Sequence, residues 1–323
     1  MPLYGYIIRR TFSAVLTFFL VFIIVFFIFR ILPGDPTLIY TGSVGALTDV
    51  EKEALLKSFG LDRPLHEQFF VQLWNFLRGE FGWSFYYRRP VIEIVAPKLL
   101  NSVILAFSSF LLVYLVTFII APLCVLKKGS YLEKGILLLT FLFRSIPTSL
   151  MGILALVVFC GVLGWFPVGG VVSVGVQLNY LSLDFIYHLI LPTAVYSAYL
   201  YALPTLVLRG TMLEEIGKDY AILLKAKGLS NSRIVYKHIL RNSLLPTVTT
   251  AALFVGTAFG GQAVIEYIFS WPGVGRELVN ACSWRDYPLA QALIFISSIS
   301  VIFMNLFADL VYGIIDPRVK YER

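Results

Sequence analysis

Six stretches of the chain are long and apolar enough to cross a bilayer, at about 8–32, 100–126, 135–160, 185–208, 244–265 and 288–312. A spanning helix needs about 20 apolar residues at about 1.5 Å rise each. The pattern therefore predicts an all-α integral membrane protein with six transmembrane helices and both termini on one side. The first run carries no charge from Thr11 to Phe29, between Arg9-Arg10 and Arg30. It is longer than a signal-peptide core and lacks a small-residue cleavage site, so it reads as a retained anchor. The layout divides into an anchor span over 1–32, an external partly helical region over 33–99, and a core over 100–323 that holds a charged loop at 209–243.

Composition sharpens this reading. Mean hydropathy is +0.82, with 58% hydrophobic and 14% charged residues, a balance that excludes a soluble 323-residue domain. The net charge of +7 is parcelled between the apolar runs, as topology requires and nucleic-acid binding does not. Cys124, Cys160 and Cys282 lie in or beside apolar runs without ligand spacing, so neither a disulfide framework nor a metal site is indicated.

The short loops set the orientation. Lys127, Lys128 and Lys134 fill one, and Arg209, Lys218, Lys225, Lys227, Arg233, Lys237 and Arg241 fill another, whereas 161–183 contains no Lys or Arg. By the positive-inside rule the first two face the cytosol, and both termini with them. The longer 33–99 region is external. In it Thr48-Asp49-Val50-Glu51 is a capping-box pattern, with Gly60 positioned to end that helix. A second helix is expected over 65–78, where Phe69, Phe70, Leu73, Trp74 and Leu77 make an apolar face. That face must lie on the membrane, on the bundle or on a partner.

Catalytic patterns fail. His66-Glu67 is followed by Phe70 where a zinc protease needs its second histidine, and there is no phosphate-cradling glycine-rich lysine motif. His188 and His238 lack a nucleophile elbow or paired carboxylates nearby. The informative segment is the cytosolic loop. A helix-compatible stretch runs to Lys227 and is ended by Gly228, after which Ser230-Asn231-Ser232 can cap a second helix toward Pro246. Glycine tolerates the left-handed backbone of so tight a corner. The product is either an ordinary helical hairpin or a knob that docks in a cytosolic socket.

Several motifs occur in order along nearly the whole chain. They are Arg9-Arg10, Gly34-Asp35-Pro36, Phe59-Gly60-Leu61-Asp62-Arg63-Pro64-Leu65, Ile146-Pro147 and His188-Leu189-Ile190-Leu191-Pro192. Asp219-Tyr220, Ala226-Lys227-Gly228-Leu229, Arg241-Asn242 and Pro246 follow. Trp271-Pro272-Gly273-Val274-Gly275, Arg285-Asp286-Tyr287-Pro288, Asn305, Asp309 and Asp316-Pro317-Arg318 complete the series. In this combination the chain resembles the permease subunits of ABC importers of the dipeptide, oligopeptide and nickel type. The resemblance implies a type I permease fold and half of a translocation path. It also implies a second homologous permease, an extracytoplasmic solute-binding protein, and two cytosolic ATPase subunits that use ATP and Mg while this chain binds no cofactor. ATPase coupling would fall to Asp219, Tyr220, Lys225, Ala226, Lys227, Gly228, Leu229, Arg241 and Asn242. The chain departs from the family at Ile222-Leu223 and Lys225, where an Arg-Thr pair and an Arg are usual.

Other residues bear on the path. Ala252, Gly256 and Gly260 recur every four residues, a spacing that lets a helix approach closely from the partner permease or from within the subunit. Pro147, Pro192 and Pro204 each remove a backbone bond and give bends or hinge points. Arg144 lies about 15 Å along its span, counted from Lys134. There it either faces an aqueous path or bonds carbonyls freed by Pro147. The segment 266–288 reads as a re-entrant or interfacial hairpin. By resemblance its Trp271, Pro272, Gly273 and Gly275 lie at the external gate, with interfacial anchoring the alternative for Trp271 and Trp284. A stand-alone channel or secondary transporter is the competing class, and the scarcity of intramembrane acids, Asp309 being near a span end, counts against it. Peptides are the expected substrate, with oligosaccharides or a nickel chelate as alternatives within the same architecture.

Overall fold

The computed structural model describes residues 3–31, 62–244, 246–248, 250–251 and 262–315. Among these, the chain is helical. Three single helices are long and apolar enough to span a membrane: α1 (Leu3–Ile31), α3 (Val91–Leu126) and the last helix, α12 (Tyr287–Ile315). Two bent helix pairs are each, taken together, long and apolar enough to make a further span. One joins α4 (Tyr131–Ser145) to α5 (Thr148–Ala155) and its π-helical extension Leu156–Val162, and the other joins α6 (Leu183–Leu200) to α7 (Ala202–Ile216). The run expected at 244–265, with Ala252, Gly256 and Gly260, lies largely outside the described residues, as do the Thr48 capping box, Gly60, Gly34-Asp35-Pro36 and Asp316-Pro317-Arg318.

The bends have covalent causes. A span was expected over 135–160 with a bend or hinge point at Pro147, and the axes turn by 102° at Ile146-Pro147. Proline disfavours the helical region for the residue before it, and Ile146 is extended at φ −76°, ψ 127° while Pro147 caps the next helix. The second pair turns by 47°. Pro204 sits in the first turn of α7, where its missing N–H is least costly. Pro192 lies inside α6, which continues through it.

α1 and α12 run antiparallel. Phe29 meets Tyr287, Phe22 meets Phe295, and the Tyr6 hydroxyl donates to the Asp309 carbonyl at 3.1 Å. Arg10 pairs with the Asp309 carboxylate at 3.1 Å. The helix expected over 65–78 is α2 (Leu65–Leu77). Its Phe69 and Phe76 pack edge-on against Phe22, so of the three expected homes for its apolar face the chain's own bundle takes this side. Phe70, Trp74 and Leu77 remain exposed.

At about 1.5 Å per residue, the 36 residues of α3 reach from one pole of the molecule to the other. Its start packs Val91, Ile94 and Val95 against Val274, Ala281 and Leu289. Its end packs Ala121 and Val125 against Leu208, Met212, Ala221 and Ile239. Hydroxyls join the helices between: Thr117 to Thr205 at 3.0 Å, Ser108 to Thr193 at 3.0 Å, and Ser197 to the Ser109 carbonyl at 3.2 Å. In an apolar surrounding such bonds hold helices together where hydrophobicity offers no net drive.

Candidate functional site

The charged loop folds as a helix, a corner and a second helix. α8 spans Asp219–Ala226, and α9 combines Asn231–Arg233, a π-helical stretch Ile234–Ile239 and Leu240–Asn242. α8 ends in a Schellman motif. The Leu229 amide donates to the Leu224 carbonyl at 3.3 Å and the Gly228 amide to the Lys225 carbonyl at 3.0 Å, with Gly228 left-handed at φ +79°. A Cβ on Gly228 would meet nothing within 4 Å, so the backbone and not space selects glycine here. Leu224 and Leu229 close the motif against the Leu208 and Met212 cluster, and Ser230 caps α9 by accepting from the Arg233 amide.

Of the residues assigned to ATPase coupling, Asp219, Lys225, Ala226, Lys227, Gly228, Arg241 and Asn242 are exposed, and Tyr220 and Leu229 are half-buried. Tyr220 organises the base of the knob. Its hydroxyl donates to Glu215 at 2.8 Å and is met by the Asn242 side chain, which joins α7, α8 and α9. Burial and the Glu215 carboxylate push the Tyr220 phenol above its ordinary range, against the Asn242 contact. Lys218 pairs with the same Glu215, which holds its ammonium above its ordinary value. Asp219, Ile222, Leu223 and Ala226 follow helical spacing along the outer face of α8. Ile222 is 62% and Leu223 56% exposed, so α8 presents an apolar ridge with lysines beside it.

Beneath the hairpin lies a pair that the sequence reading missed. Arg209 Nε donates to Glu133 Oε1 at 3.0 Å, and the other carboxylate oxygen accepts from the Gly129 amide at 2.6 Å. Glu133 is buried at 4% exposure. The available signal was Ser130-Tyr131-Leu132-Glu133, a capping box whose serine accepts from the Glu133 amide at 3.3 Å.

At the opposite pole the candidate gate segment is a packed clasp. Trp271 is fully buried and its indole donates to the Asn101 carbonyl at 3.0 Å, so it is neither an interfacial anchor nor exposed to an aqueous path in this structure. Asn101 also donates to the Pro272 carbonyl at 3.0 Å. The centre is Glu266 on α10 (Ala263–Ile268), a residue that the sequence analysis did not single out. Its carboxylate accepts from Ser102 at 2.5 Å, Gln262 at 3.0 Å, and the amides of Gly275 at 2.7 Å and Arg276 at 3.0 Å. Those amides open α11 (Val274–Ser283), whose dipole favours the negative group. A Cβ on Gly273 would overlap the Glu266 carboxylate, and one on Gly275 would overlap Ala263. Trp284 stacks on Tyr86.

Arg144 is exposed on this chain, and its guanidinium lies 4.4 Å from the centre of the Tyr199 ring. The aromatic face, rather than a freed carbonyl, is its partner among the described residues. Pro147 stands three residues on as the corner itself.

A family profile described as "Binding-protein-dependent transport system inner membrane component" matches residues 114–321, and the profile for the N-terminal part of this membrane component matches residues 3–106. The chain is 34% identical over 318 residues to the oligopeptide transport system permease protein AppB of Bacillus subtilis, covering 98% of this chain and 99% of that one. It is 33% identical over 335 residues to the di/tripeptide transport system permease protein DppB of Pseudomonas aeruginosa, covering 99% of each. It is 32% identical over 319 residues to the glutathione transport system permease protein GsiC of Salmonella choleraesuis, covering 98% and 99%. End-to-end similarity to named permeases and a multi-span helical fold agree. The chain belongs to the binding-protein-dependent transport system inner membrane component family, as a multi-pass permease subunit of an ABC transporter and not an enzyme.

Proposed function

We propose that this subunit forms half of the path by which peptides, delivered by an extracytoplasmic solute-binding protein, enter the cell at the expense of ATP. Two ATPase subunits hydrolyse the nucleotide with Mg and grip the α8 ridge, and a second homologous permease completes the path. The observation that carries this reading is the knob. A helix held outward by the Gly228 corner leaves Ile222, Leu223, Lys225, Ala226 and Lys227 uncovered, while Tyr220 and Leu229 tie it to α7 and α9. A force applied to α8 would pass directly into those helices.

Peptide is favoured over oligosaccharide or a nickel chelate because the relatives of near-complete coverage are named for oligopeptide, di/tripeptide and glutathione transport. The orientation is cytosolic for both termini. Arg9, Arg10, Lys127, Lys128 and the hairpin lysines share one pole, and that clustering fits the positive-inside rule. The pairing of Asp309 with Arg10 leaves that acid poorly placed for proton or sodium coupling, against a stand-alone transporter. Reconstitution into proteoliposomes tests the reading. ATP-dependent uptake of a labelled peptide should require both permeases, the ATPase subunits and the binding protein, and uptake by this chain alone would overturn it.

A further inference from the structure

The pole opposite the hairpin carries an exposed knob with an unusual backbone. The turn is closed by a bridge from Trp83 to Pro90 and by the Ser84 amide to Arg89 carbonyl and Arg88 amide to Ser84 carbonyl bonds, both 3.0 Å. It is locked to the start of α12 by Asp286. That fully buried carboxylate accepts from the Ser84 hydroxyl and from the Tyr86 amide at 3.1 Å, although 200 residues separate the latter pair. Outside the lock, Tyr86 and Trp284 stack at 3.8 Å with an 8° interplanar angle.

Among the described residues the non-glycine positions with left-handed φ are Arg88 at 52°, Ser270 at 50° and Arg285 at 56°. Two of these are arginines in the two segments that the stack joins. A side chain with a Cβ is disfavoured in that region, and such conformations persist where the surroundings over-determine them, often at functional sites. Arg88, Arg89 and Arg285 are exposed, and none forms an ion pair with a described carboxylate. Asp286, the nearest acid in sequence to Arg285, is buried and committed to the lock.

We propose that Arg88, Arg89 and Arg285, set around the Tyr86 and Trp284 stack, form the docking knob for an acidic surface of the extracytoplasmic solute-binding protein. The inference rests on the proposed function, which supplies that partner. Rigid Tyr, Trp and Arg groups concentrate binding energy at protein interfaces; the Arg89 guanidinium is held 5.7 Å over the Tyr87 ring, and guanidinium forks without a carboxylate partner match carboxylates in two-point bonds. A lipid headgroup is the competing ligand. The face suited to lipid is elsewhere, on α2, where Phe70, Trp74 and Leu77 are exposed and Arg78 covers Trp74 at 4.6 Å. The knob instead offers charge on a fixed, polar turn.

The test uses the assembled transporter in nanodiscs and the purified solute-binding protein that supports uptake through it. Wild-type complex should bind that protein with an affinity that falls steeply with salt. The double variant Arg88→Glu, Arg285→Glu should weaken binding at least tenfold and flatten the salt dependence. Arg88→Gly with Arg285→Gly guards against misfolding, since glycine suits the left-handed backbone. That variant should keep or raise the thermal midpoint and still lose affinity. Equal affinity of wild type and a folded glycine variant would overturn the proposal, as would unchanged affinity with a new response to phosphatidylglycerol content, which would mark a membrane contact. Failure of the wild-type complex to bind the protein at all would instead strike the proposed function.

Discussion

The Leu229 amide reaches back 3.3 Å to the Leu224 carbonyl across a left-handed Gly228, and this bond fixes the angle at which α8 leaves the molecule. On the outer face of α8 Ile222, Leu223, Lys225 and Ala226 are exposed, whereas Ala221, Leu224 and Leu229 pack into the Leu208 and Met212 cluster. The corner is therefore the point where a short charged helix becomes continuous with the helical bundle.

Gly228→Ala is expected to cost about 1–2 kcal/mol, the penalty for a Cβ in the left-handed region, because no neighbour obstructs the side chain itself. Thermal unfolding should shift slightly while recovery of ATPase subunits with the purified permease falls. Gly228→Asn should lie between alanine and wild type, since asparagine tolerates this backbone better.

Replacing the ridge tests docking separately from folding. Ile222→Asp with Leu223→Asp alters side chains that are more than half exposed, so chain stability should change by no more than about 0.5 kcal/mol per site. Co-purification with the ATPase subunits should be lost. Retained assembly in this variant would show that another surface carries docking.

Glu266→Ala removes the acceptor of the Ser102 hydroxyl and of the Gly275 and Arg276 amides, while Gln262 keeps its bond to the Ser102 carbonyl at 3.2 Å. Each buried group left unpaired costs about 1–3 kcal/mol, so the thermal midpoint should fall sharply. Gly273→Ala should act in the same direction by displacing the same carboxylate. Combining the two should give less than the sum of their separate effects, measured by a double-mutant cycle.

Arg209→Ala leaves Glu133 buried without its cation and should cost about 3–5 kcal/mol. Glu133→Leu with Arg209→Met should recover much of that loss, as uncharged pairs of similar volume often do. Thermal denaturation of the four-variant cycle reads the outcome.

Local sequence was sufficient wherever a feature is made of near neighbours. The Gly228 corner, the Ser230 cap and the extent of α2 follow from residues within a few positions of one another. The Glu266 clasp was not legible because its donors come from Ser102 and from the start of α11, and nothing in the local pattern brings residues 164 apart together. Trp271 misled for a related reason. Tryptophan near a span end ordinarily sits at the interface, but the Asn101 carbonyl gives its indole a buried partner. At Pro147 the sequence pointed to a bend and not to its size, because a 102° corner depends on what the two arms pack against.

The most direct measurement places a photo-cross-linker on the ridge, through Ala226→Cys in a chain whose Cys124, Cys160 and Cys282 are replaced, with Trp83→Cys at the opposite pole as the comparison. Illumination of the assembled transporter should join position 226 to an ATPase subunit and leave position 83 free of it. No ATPase adduct at 226, in a complex that still hydrolyses ATP and takes up peptide, would contradict the account.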